Sequence, residues 1–71
     1  MKSFNIIFGL VFNGSKVEHV GSCVIESKDF SDAFDIVWGP FRDAVEFGTL
    51  DNFWVVNAEG IKINGCPDDL K

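Results

Sequence analysis

The chain has no tyrosine, one histidine, two cysteines and two prolines, and its six basic residues face eleven acidic ones. Each scarcity closes off a class of function. The bases Lys2, Lys16, Lys28, Arg42, Lys62 and Lys71 are scattered, and the net charge is −5. Nucleic-acid binding draws its affinity from clustered Lys and Arg that release counterions, so direct DNA or RNA binding is not expected. A partner with a basic surface is. The soft metal ligands are His19, Cys23 and Cys66, with no C-x2-C spacing among them. His19 and Cys23 would lie about 13 Å apart on a strand, too far to share one ion. No metal and no cofactor are expected. Two cysteines allow one bridge at most, and both read as reduced packing thiols.

Catalytic signatures are equally sparse. The chain has no G-x-S-x-G, no Gly-rich phosphate loop and no H-E-x-x-H, the patterns that mark an activated nucleophile, a phosphate cradle or a zinc hydrolase. A thiol nucleophile needs an adjacent base, and His19 is the sole candidate. A paired carboxylate site needs an enclosed cleft to separate the two pKa values, and 71 residues leave little room for one. The expected protein is not an enzyme. No apolar run reaches the ~18–20 residues that span a bilayer. Residues 4–12 have the apolarity of a signal-peptide core, but Asn5 interrupts them and a turn replaces the cleavage region. The expectation is a complete, cytoplasmic protein that does not contact membranes.

What is present is apolar and aromatic. Hydrophobic residues make up 46% of the chain, with eight Phe and two Trp. A chain this short buries only about 60% of its unfolded surface and is marginal on its own. Self-association is the remaining aid, so a homodimer or a tightly bound partner is expected. No repeats or low-complexity segments occur. The organisation reads as one domain over residues 1–66 and a flexible tail over 67–71.

Residues 4–12 alternate with period two, placing Phe4, Ile6, Phe8, Leu10 and Phe12 on one face, the mark of a half-buried strand. Asn13-Gly14 then suits a tight hairpin turn with positive φ at both residues. A return strand follows over 16–26, with apolar residues of both parities. A two-residue turn would set Phe8 opposite His19. A three-residue turn would set Phe8 opposite Val20 and Phe4 opposite Val24, which gives better apolar pairs. Register exchanges faces with one step of slip, and both choices stand. Residues 29–48 change to helical period. Phe30, Ala33, Phe34, Val37, Phe41, Ala44 and Val45 fall within about 60° of one direction. Asp29 or Ser31 is the N-cap candidate and Gly48 the stop. Gly39-Pro40 interrupts the run in phase, predicting one kinked helix or two short collinear ones. Residues 52–57 form an interior strand, apolar on both faces. Asn57-Ala58-Glu59-Gly60 forms a type I turn with a positive-φ Gly, and residues 61–64 form a last strand.

The order ββαββ defines an α+β fold: a mainly antiparallel four-stranded sheet with one Pro-kinked helix on one face. A mixed sheet of the ubiquitin-like, β-grasp kind is similar in layout, although the C-terminal Gly-Gly of its conjugated members is missing. Two surface features remain for function. Asp32, Asp35, Asp43 and Glu46 form a nearly one-signed acidic strip, offset by Arg42 alone, where a solvated face would mix its charges. Beside it, Ile36, Pro40 and Phe47 share one flank of the helix and Trp38 takes the other. With Trp54, these read as a protein-binding ridge, since aromatic anchors with a charged rim are the usual composition of an interface. The odd face of the first strand, Ile7 and Val11, has no second helix to cover it and is a candidate dimer face. The chain resembles, as a class, the small acidic proteins that phages encode to inhibit host enzymes or defence systems. The expected function is binding and blocking or modulating a partner protein. The alternatives are a DNA mimic and, less favoured, a small ligand-binding or enzymatic domain.

Overall fold

A computed structural model describes residues 1–65. Cys66 and the tail expected over 67–71 lie outside the described residues. The elements follow the expected order: β1 (Lys2–Phe12), β2 (Glu18–Ser27), α1 (Phe30–Phe47), β3 (Leu50–Val56) and β4 (Lys62–Asn64). They form one four-stranded sheet, ordered β2-β1-β3-β4, in which every neighbouring pair is antiparallel. β3 returns beside β1 in the antiparallel sense, so the mixed-sheet alternative is not adopted.

The even stripe of β1 faces the helix. Ile6, Ala33, Val37, Leu50, Phe53 and Val55 form the buried core, with Phe4, Phe8 and Leu10 packed against it. Fully burying side chains such as Phe53, Ile6 and Val55 contributes about 1.5–3 kcal/mol each. An unbroken series of ring contacts joins sheet to helix: Phe4–Phe30 (5.7 Å), Phe30–Phe34 (6.4 Å), Phe34–Trp38 (5.4 Å), Trp38–Phe53 (4.9 Å), Phe53–Phe41 (5.5 Å) and Phe41–Phe8 (5.1 Å). The phenylalanine-rich composition is thus used chiefly as a packed aromatic seam.

The helix starts where Asp29 stands in extended backbone and its carboxylate accepts the Asp32 N–H at 2.8 Å. It stops at Gly48, φ 84°. There the Gly48 N–H donates to the Val45 carbonyl and the Thr49 N–H to the Ala44 carbonyl, the two bonds of a Schellman motif. The helix is continuous from Phe30 to Phe47 with Pro40 inside, so Pro40 does not open a second helix. Pro40 leaves the Ile36 carbonyl without its intrahelical donor. Both residues are exposed, so water can satisfy that group.

The hairpin register matches neither expected choice. Phe8 pairs with Gly21, Leu10 with His19 and Phe4 with Ile25. Asn13-Gly14 is not a two-residue hairpin turn: Gly14 alone has positive φ (82°), and the Ser15 N–H donates to the Phe12 carbonyl at 2.9 Å, as in a type II turn. The connection runs on through Ser15, whose hydroxyl oxygen accepts the Val17 N–H at 3.1 Å. The register follows from a fit that apolar pairing does not capture. A β-carbon on Gly21 would stand 3.0 Å from the tip of the Phe8 ring, so the ring occupies the space that the glycine leaves open. This register turns Cys23 and Ile25 toward the helix and leaves Val20 and Val24 on the open face, 62% and 66% exposed.

Candidate functional site

One flank of the helix carries the ridge. Ile36 is 48% exposed and Phe47 86%, and Pro40 is exposed between them. At 1.5 Å per residue the ridge runs about 16 Å along the helix, and 100° steps place these three within about 40° of one another. Asp32, Asp43, Glu46 and Asp35 occupy the adjoining ~80° sector. Asp35, Asp43 and Glu46 are exposed and Asp32 is half-buried. Among the described residues the strip meets one base: Arg42 Nε lies 3.9 Å from Glu46 Oε1, with both side chains more than half exposed. A pair so long and so exposed contributes little. An apolar ridge with an acidic flank on one side is what these residues build.

The two tryptophans lie elsewhere. Trp38 is half-buried, stacked on Phe34 and edge-on to Phe53. It belongs to the aromatic seam. Trp54 is 8% exposed although its strand position points to the open face. Its indole lies over Gly9, where any β-carbon would collide with Cε2 and Nε1. The Lys62 ammonium sits 4.4 Å from the ring centroid, a cation–π contact. Ile7 and Val11 share this open face, Ile7 42% exposed and Val11 half-buried.

The remaining chemistry-bearing residues do not converge. His19 is exposed and makes an edge contact with Phe12 at 5.4 Å. Cys23 is a half-buried free thiol on the same strand face, four residues on. No group of three or more His, Cys, Asp or Glu residues that could hold a metal occurs among the described residues. No helix among them is long and apolar enough to cross a membrane.

One feature escaped the sequence reading. An open hollow of about 330 Å³ is lined by Phe30, Ser31 and Phe34 of the helix and by Asn57, Ala58, Glu59 and Ile63 of the β3–β4 hairpin. Asn57 holds the hairpin side in shape: its carboxamide oxygen accepts the N–H of Glu59 and of Ile61, both at 3.0 Å. Among the described residues, Glu59 is the one ionisable residue lining the hollow. No protein-family model, no curated protein and no solved structure matches the chain.

Proposed function

We propose that the protein is a small acidic interaction module that binds a partner protein through the ridge of Ile36, Pro40 and Phe47 and blocks or modulates it, with no chemistry of its own. The observation that carries this reading is Phe47, a phenylalanine 86% exposed beside a one-signed acidic flank. An exposed phenyl ring at the end of an apolar ridge suits an anchor that fills a socket. The acids fix the chemistry of the other side: a socket rimmed by Lys or Arg. Nucleic acid, membrane and cofactor have no part in this reading. It accords with an inhibitor or accessory protein of the phage type acting in the cytoplasm.

A DNA mimic would rest on the same acids, Asp35, Asp43 and Glu46, without needing the apolar ridge. The two readings part on salt. Capture from the native host's lysate, followed by titration with the purified partner, is the test. A ridge-anchored complex survives ~0.5 M salt, weakens at least tenfold with Phe47→Ala and weakens less with Asp43→Lys. A mimic loses binding to salt and to Asp43→Lys or Glu46→Lys while tolerating Phe47→Ala. A partner indifferent to all of these substitutions sets the helix aside as the site.

A further inference from the structure

The outer edge of β2 is long and undefended. β2 has ten residues against three in β4, the opposite edge. Its pairing with β1 runs without a bulge from Lys2↔Ser27 to Val11↔Glu18. Residues 19–25 contain neither a proline nor a Lys, Arg, Asp or Glu. The helix packs chiefly on β3. Sheet edges are usually blunted by short strands, bulges, prolines or charges, and β2 has none of these over that stretch. On the open face it adds Val20 and Val24, both about two-thirds exposed, next to Ile7.

We infer that β2 pairs with β2 of a second copy, antiparallel about a two-fold axis, joining the two four-stranded sheets into one. The inference is independent of the helix ridge. A two-fold axis perpendicular to the sheet keeps both helices on one face and pairs even positions with even, odd with odd. Three registers preserve most of the strand. Centring on Ser22 sets Glu18 against Glu26 of the second copy, twice, and like charges directly opposite destabilise. Centring on Gly21 pairs residues 18–24 only. Centring on Cys23 pairs residues 19–27 and brings Lys28 of the second copy, in the bend just past the end of its β2, beside Glu18 at both ends. In that register Val24 meets Ser22 and Ile25 meets Gly21. Glu26 of the second copy lies diagonal to Glu18, which places Lys28 between two carboxylates. Charge complementarity and strand overlap therefore select the register centred on Cys23.

That register has a covalent reporter. Directly opposed residues in antiparallel strands have Cα atoms about 4.5–5.5 Å apart, within the range a disulfide spans. The full-length protein carrying Cys66→Ser, treated with diamide, should form a Cys23–Cys23 disulfide: the two thiols lose two electrons and two protons, which reduce diamide to its hydrazine. In parallel, the molar mass of the wild type by sedimentation equilibrium should climb from 7.9 kDa toward twice that between ~1 and ~500 µM, the range of a small, weak interface. Glu18→Lys and Lys28→Glu should each weaken association about tenfold, and the double swap should restore it to within about threefold. Glu18 and Lys28 are both exposed, and circular dichroism would confirm that each variant folds. A mass of 7.9 kDa throughout overturns the inference, and so does a dimer that ignores both single swaps. A dimer that obeys the swaps but gives no Cys23 cross-link overturns the register.

Discussion

Replacing Gly9 with alanine would put a methyl group where the Trp54 indole lies. The cost should be about 1–3 kcal/mol, typical of forced overpacking, read as a lower urea midpoint with a change in tryptophan emission. Phe47→Ala should leave stability within about 0.5 kcal/mol, because the ring is in solvent. Phe53→Ala should cost about 3–5 kcal/mol, since it empties the centre of the core. The two phenylalanines cannot be told apart by residue type. The helical phase separates them in part: position 47 falls on the flank of the helix, whereas Phe53 lies on a strand apolar on both sides. The fate of Trp54 was not legible from its own strand. The clue was Gly9, a glycine in the middle of a strongly apolar strand, where close approach by another group is a standing reason for glycine. Recognising the indole as that group requires the β1–β3 pairing, which is a long-range fact.

At the scale of elements, the helix was legible because three local signals agree: the Asp29 cap, the phase of the apolar face and Gly48. Gly48→Ala should cost about 1–2 kcal/mol, as φ 84° is expensive for a residue with a β-carbon. Pro40→Ala should raise stability by about 1 kcal/mol or more, by restoring the Ile36 carbonyl's donor. Chemical denaturation monitored at 222 nm would read both. The hairpin was legible as a hairpin, but its register was not. β2 has apolar residues of both parities, so its hydrophobic pattern does not fix a face. What decides the register is the seat that Gly21 provides for the Phe8 ring, a match of shape. Asn13-Gly14 misled for a related reason: its composition suits a type I′ turn, but the longer connection needs positive φ at Gly14 alone.

The whole molecule is a one-layer sheet with a helix on one side, and its other face bears Ile7, Val20 and Val24 in solvent. A domain of 71 residues has about 4–10 kcal/mol of net stability. If a second copy binds the folded state only, mass action adds to that figure as concentration rises. The thermal midpoint of the wild type should therefore climb with protein concentration, and that of Glu18→Lys should climb less. Differential scanning calorimetry at two concentrations about a hundredfold apart would separate the two outcomes.

The strand at the centre of the sheet, β1, precedes both of its neighbours in the chain, and β3 reaches its place only after the helix has been made. During synthesis, the β1–β2 hairpin must wait with Phe4, Phe8 and Leu10 uncovered. Its inner edge is vacant as well. A nascent chain arrested just past residue 47 would be a sticky half-sheet in need of shelter. It should bind a hydrophobic dye and chaperones, and release both once residues 50–56 emerge to close the gap.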